Sequence, residues 1–168
     1  MNDASDKVKS ITEISRITQR ARTAGKRVVT TNGCFDILHV GHIKSLEWAR
    51  RQGDLLIVGV NSDASVRANK GPERPIVPAK ERALILAGLA AVDYVFIFKS
   101  KSPVPWLKII KPAVHIKGGG SEKSPAFLPE EQVIKKGGGK IVLAPQARGR
   151  STTDIIKTIL DRYSSRRE

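Results

Sequence analysis

The chain has a single cysteine, Cys34, so it can build neither an intramolecular disulfide framework nor a cysteine-based zinc site. Aromatic residues make up only 5%, which argues against a base-stacking surface of the kind nucleic-acid binders use. No apolar run approaches the ~20 residues needed to span a bilayer. Met1-Asn2-Asp3-Ala4-Ser5-Asp6 lacks the basic-then-apolar pattern of a signal peptide, so a cytoplasmic location without a membrane partner is expected. Acidic residues are scarce: 16 Asp+Glu against 30 Lys+Arg leave a net charge of +14. Such an excess suits nucleic acid, an anionic membrane or small phosphorylated ligands. The basic residues are scattered rather than gathered in a stripe, and the tail Arg162-Tyr163-Ser164-Ser165-Arg166-Arg167 reads as solvated. The charge therefore points to polyanionic small substrates, with no nucleic acid expected.

There is no internal repeat and no sign of a second domain. A single domain over 1–168 is expected, with its core at about 26–163 and frayed ends at 1–8 and 164–168. Ser10-Ile11-Thr12-Glu13 fits a capping box, and Ile11, Ile14, Ile17 and Ala21 keep one apolar face up to Gly25. Leu55–Val60 and Tyr94–Phe98 are continuous apolar runs, as strands buried on both faces of a parallel sheet require. Shorter strands are predicted at 27–31, 113–116 and 140–143. Helices are predicted from the histidine-bearing loop to Gln52, from Pro78 to about Ala91, after Pro103 or Pro105, near 128–136 and after Ser151. Strands alternate with helices from end to end. That pattern predicts a doubly wound parallel sheet of five strands, Rossmann-like, with ligands outside the carboxyl ends of the strands.

The richest stretch is Thr31-Asn32-Gly33-Cys34-Phe35-Asp36-Ile37-Leu38-His39-Val40-Gly41-His42, on a strand–loop–helix junction. Backbone N–H groups at such a helix N-terminus favour anions. His39 and His42 stand around Gly41, which lets a ligand come close to the backbone. Two imidazole donors beside free N–H groups suit a triphosphate; the alternative is two histidines that cap a helix or fill a core. Ser151-Thr152-Thr153, preceded by Arg148, offers a second anion site at a helix start, with plain N-capping as its alternative. Asp36 and Asp63 are carboxylates at strand ends. Lys70 lies beside a breaker-rich loop and reads equally well as a solvated lysine; Arg82 either reaches an acceptor pocket or forms a surface salt bridge. Cys34 reads as a small buried residue, not a nucleophile.

His39-Val40-Gly41-His42, with Asn32–Asp36 before it, resembles the signature of the HxGH nucleotidyltransferase superfamily. The stretches Gly59–Ser65, Arg74–Pro78, Ile116–Gly119 and Ser151–Ile156 are similar to the adenylyltransferase domain of bifunctional bacterial heptose kinase/adenylyltransferases and to stand-alone heptose 1-phosphate nucleotidyltransferases. The resemblance implies a nucleotidyltransferase that joins a nucleoside triphosphate, ATP favoured, to a heptose 1-phosphate (D-glycero-D-manno-heptose 1-phosphate). The products would be ADP-heptose and pyrophosphate. It implies catalytic roles for His39, His42 and Lys70. It implies a nucleotide site of Thr31, Asn32, Gly33, Cys34, Phe35, Gly41, Lys117, Gly118, Arg148, Ser151, Thr152 and Thr153, and an acceptor site of Asp63, Arg82, Gly119 and Glu122. The family usually has Lys-Gly-Gly-Asp after the fourth strand. Here Gly120 replaces the carboxylate, and Glu122 is expected to stand in for it. Magnesium (Mg2+) bridging phosphate oxygens is the expected cofactor, and a homodimer is expected. With no sugar-kinase portion, the sequence reads as the stand-alone type. GTP- or CTP-dependent enzymes, glycerol 3-phosphate cytidylyltransferases and FAD synthases remain alternatives, as does a non-catalytic basic module that binds RNA.

Overall fold

In the computed structural model, residues 3–118, 127–145 and 151–164 are described. Helix α1 (Ile11–Thr23) opens as its sequence dictates: the Ser10 hydroxyl accepts from the Glu13 amide at 3.2 Å, and the Glu13 carboxylate accepts from the Ser10 amide at 2.8 Å. Five strands follow, β1 (Val28–Gly33), β2 (Leu55–Asn61), β3 (Tyr94–Phe98), β4 (Val114–Gly118) and β5 (Lys140–Ala144). They form one parallel sheet in the order β3-β2-β1-β4-β5. The chain winds outward from β1 to β3, then returns to lay β4 on the other side of β1. The β1/β4 boundary is therefore the switch point, where the crevice of a doubly wound sheet opens.

The remaining helices are α2 (Val40–Arg50), α3 (Asp63–Lys70), α4 (Ala79–Ala87), α5 (Val104–Ile110), α6 (Phe127–Lys136) and α7 (Thr152–Tyr163). Strand β2 shows why its sequence is apolar throughout. Leu56, Val58 and Val60 pack with Leu46 and Ala49 of α2 and Ala83, Leu86 and Ala87 of α4. Ile57 lies on the opposite face with Ile14 of α1, Leu107 and Ile110 of α5 and Ile134 of α6. Among the described residues no helix is long and apolar enough to cross a membrane.

Two expectations are corrected. The N-terminus is not frayed over 3–8, and the core does not begin at 26. Ala4–Lys7 forms a 3-10 turn, Val8 bridges Val95, and the Lys9 amide donates to the Val95 carbonyl at 2.8 Å. Lys7 Nζ donates to the carbonyls of Leu89 (3.3 Å) and Val92 (2.9 Å), in the turn after α4. The second correction concerns α4, which ends at Ala87 rather than near Ala91. Gly88 stands at its carboxyl cap, and the chain turns there so that Asp93 can accept from the Leu56 amide at 2.7 Å on entering β3.

Candidate active site

The carboxyl end of β1 runs into the histidine-bearing loop. Gly33 lies against the Phe35 ring: a Cβ there would stand 3.0 Å from it, a tight contact that the ring could relieve only by shifting a few tenths of an ångström. His39 is the N-cap of α2, and its Nδ1 accepts from the Gly41 amide at 3.2 Å. That bond puts the proton of the neutral ring on Nε2. The His39 and His42 rings stack with centroids 3.8 Å apart, and His42 meets the Phe35 ring edge-on at 5.2 Å. Burial, then the neighbouring His39, push the His42 pKa down to about 4. The His42 ring is therefore neutral at rest near pH 7. Its Nδ1 is buried with no hydrogen-bond partner among the described residues, and so is the side-chain oxygen of Asn32. Such atoms are costly to leave unpaired and suit a ligand.

Asp36, 3% exposed, fastens this loop to the segment after α3. It accepts from the Ile76 amide at 2.8 Å, the Val77 amide at 2.9 Å and the Arg74 guanidinium. Burial acts to raise its pKa, but these amides and Arg74 outweigh it and hold the carboxylate below its ordinary range. Arg82 is neither a surface ion-pair partner nor a direct acceptor ligand: it is 1% exposed, beneath the site. It donates to the carbonyls of Val77 (2.8 Å), Cys34 and Asn61 (2.8 Å) and to Asp63 Oδ1 (2.8 Å). The reason is local: irregular loops leave strand-end carbonyls without ladder partners, and a planar guanidinium with five N–H groups satisfies several at once.

Asp63 Oδ1 also accepts from the Ala79 amide at 2.8 Å, and its side chain keeps 36% exposure at the carboxyl end of β2. Lys70 is the exposed last residue of α3, and Gly71 turns the chain at φ +96°, a region closed to most side chains. Cys34 is half-buried; burial pushes its thiol pKa up, against the pull of Lys70, Arg82 and Arg74, so it stays protonated.

Beyond the switch point, Thr31 Oγ1 donates to the Ile116 carbonyl at 3.0 Å, and Lys117 and Gly118 end β4. Lys117 Nζ lies 2.6 Å from Glu130 Oε2, a residue the sequence reading did not single out. Ser151 caps α7 in a capping box with Asp154, and Thr152 Oγ1 donates to the Ile37 carbonyl at 3.4 Å. That contact brings the start of α7 to the histidine loop. The amides of Thr152 and Thr153 open α7, where no helical carbonyl precedes them. Gly119, Glu122 and Arg148 lie outside the described residues. No group of three or more His, Cys, Asp or Glu side chains able to hold a metal occurs among the described residues.

Two helix N-termini thus meet at the crevice of a β3-β2-β1-β4-β5 sheet, one bearing paired imidazoles. The cytidylyltransferase-like profile matches residues 30–158, which contain both. The chain belongs to the cytidylyltransferase-like family. It is a nucleotidyltransferase by that membership, and the family's nucleotidyltransferases generally use a divalent metal. It is 43% identical to the bifunctional protein HldE of Trichlorobacter lovleyi over 96% of the chain and 33% of HldE. It is 49% identical to HldE of Syntrophotalea carbinolica over 84% of the chain and 29% of HldE. The chain spans about a third of the length of these curated relatives. A lipopolysaccharide core biosynthesis protein of Thermoplasma volcanium superposes with a TM-score of 0.64 at 30% identity, over 73% of this chain and 99% of that one. Pantoate-beta-alanine ligase of Francisella tularensis, at 16% identity and TM-score 0.61 over 90% and 76% of the two chains, shares the fold alone.

Proposed function

We propose that this protein transfers a nucleoside monophosphate from a triphosphate, ATP favoured over GTP or CTP, to a heptose 1-phosphate. The products are ADP-heptose and pyrophosphate. The observation that carries this reading is the meeting of the α2 and α7 starts at the switch point, through Thr152 and Ile37, in a chain of which 96% aligns at 43% identity with a third of an HldE.

A phosphate oxygen of the sugar attacks the α-phosphorus. A new P–O bond forms there as the bond to the bridging oxygen of pyrophosphate breaks. The acceptor is already ionised, so the protein's work is to align two anions and to take up charge moving onto the leaving group. His39 donates from Nε2, and His42 donates to the phosphates from a pocket dry enough to strengthen that bond. Arg148 and the opening residues Ser151, Thr152 and Thr153 receive the outer phosphates. Lys70 closes over the reacting groups. Asp63, held at one oxygen by Arg82 and Ala79, takes a sugar hydroxyl, with Gly119 and Glu122 completing the acceptor side. No cluster of side chains among the described residues would hold magnesium, so it would come with the triphosphate, whose oxygens are the hard ligands this ion prefers, and would offset charge there. A homodimer in the cytoplasm is part of the same reading.

The test is a pyrophosphate-release screen of the common triphosphates against heptose 1-phosphate, other sugar 1-phosphates, glycerol 3-phosphate and FMN. Fastest release with ATP and heptose 1-phosphate is expected. Faster turnover with glycerol 3-phosphate or FMN than with any sugar phosphate overturns the acceptor assignment. Salt-dependent RNA binding without pyrophosphate release overturns the enzyme reading.

A further inference from the structure

Side chains two apart on a strand share a face, and His115 and Lys117 of β4 both face α6. There Glu130, 1% exposed, sets Oε2 2.6 Å from Lys117 Nζ and 3.9 Å from His115 Nε2, an attraction of charges rather than a hydrogen bond, since Oε2 has no hydrogen-bond partner among the described residues. His115 is itself fully buried, with Nδ1 2.8 Å from Thr30 Oγ1 and its ring edge-on to Trp106. Burial, then the charge of Lys117, drive the His115 pKa down to about 3, so the ring is neutral near pH 7. Among the described residues, Lys117 is thus the cation that balances Glu130.

A buried carboxylate is an expensive way to stabilise a fold, because an apolar side chain of similar volume often does as well. A lysine ending a strand would ordinarily extend its ammonium into water. Lys117 instead keeps 16% exposure, drawn down to a fixed point beside the switch point. The register pairs Thr31 with Ile116, which puts Asn32 level with Lys117 and on the same face. Asn32 carries a buried side-chain oxygen without a partner among the described residues. A held cation and an unpaired acceptor therefore share one lip of the crevice, across the sheet from α2 and its histidines.

We propose that Glu130 is a positioning residue for nucleotide binding: its buried carboxylate holds the Lys117 ammonium at the end of β4, where the lysine contacts the bound nucleotide. This rests on the nucleotidyltransferase reading above.

The test compares Glu130→Gln, Glu130→Asp and Lys117→Met with the unaltered protein. It reads calorimetric binding of magnesium–ATP, KM for each substrate and Tm. Glu130→Gln and Lys117→Met should each weaken ATP binding and raise the triphosphate KM about tenfold, with the sugar 1-phosphate KM changed less than about twofold; the double variant should be no worse than either single one. Glu130→Asp should recover part of the loss. A lower Tm in Glu130→Gln with ATP binding and both KM values unchanged would show a structural strut only and overturn the proposal. So would additive losses in the double variant. If the unaltered protein releases no pyrophosphate while the variants still lose ATP binding, the positioning role stands and the reaction assignment fails.

Discussion

Arg82→Met replaces a fully buried guanidinium with an apolar chain of similar length. The arginine donates four hydrogen bonds, to Val77, Cys34 and Asn61 carbonyls and to Asp63. The Asp63 side chain is 36% exposed and can regain water when the partner leaves. The Asn61 carbonyl belongs to a residue only 6% exposed and is much harder to rehydrate. Breaking a buried, hydrogen-bonded charge network of this kind costs about 3–5 kcal/mol. For a domain of this size, each kcal/mol moves Tm by ~2–4 °C, which gives a fall of roughly 6–20 °C. Urea unfolding followed by Trp48 and Trp106 fluorescence, with a thermal scan beside it, measures the change. A surface arginine would cost no more than about 0.5 kcal/mol. A loss under about 1 kcal/mol would therefore refute the burial argument. Below its lowered Tm the variant should also show a raised sugar 1-phosphate KM, because Asp63 and the Cys34 turn lose their common tether.

His42→Ala should keep its fold and lose ~10²–10³ in turnover, since one donor to developing charge is typically worth that much; retention of more than about a tenth of the rate contradicts the role. His39→Ala should lose rate comparably and some stability as well, because it removes the α2 cap, worth about 0.5–2 kcal/mol. Acid should destabilise the chain early. His42 and His115 have folded pKa values near 4 and 3, below the ordinary 6.5. The unfolded chain thus takes up protons that the folded chain refuses, and stability present above pH 6.5 is lost as pH falls through 4 toward 3. An unchanged Tm between pH 7 and 5 contradicts this. Excess chelator should abolish pyrophosphate release and added magnesium restore it, while full activity in chelator refutes the metal requirement. Glu122→Gln should raise the sugar KM well above any change in the triphosphate KM, and an unchanged sugar KM removes Glu122 from the site.

The fold was legible because its signals are local. Leu55–Val60 is apolar at every position since β2 is buried on both faces, and Ser10 with Glu13 spells its own cap. The histidine loop was legible for the same reason: strand, glycine, imidazoles and helix start are contiguous. The placement of Arg82 was not, because its partners are backbone carbonyls 48 and 21 residues away at Cys34 and Asn61, and a carbonyl has no residue type to read. Docking of the N-terminus is illegible for the same reason, since Lys7 is held by carbonyls 82 and 85 residues distant. Glu130 and Glu131 are indistinguishable as letters. One is buried against Lys117, and the other pairs with Lys135 at 3.0 Å one turn along α6, on the outer side. The neutral state of His42 follows from burial, which the motif does not encode.

The central claim is nucleotidyl transfer onto a sugar 1-phosphate, and mass analysis of the products from α-labelled ATP and heptose 1-phosphate tests it most directly. The account predicts label in ADP-heptose with an equal amount of unlabelled pyrophosphate, both formed ~10²–10³ times more slowly by His42→Ala. Release of ADP with a phosphorylated sugar, or unconsumed ATP under conditions where the protein is folded and binds it, would contradict it.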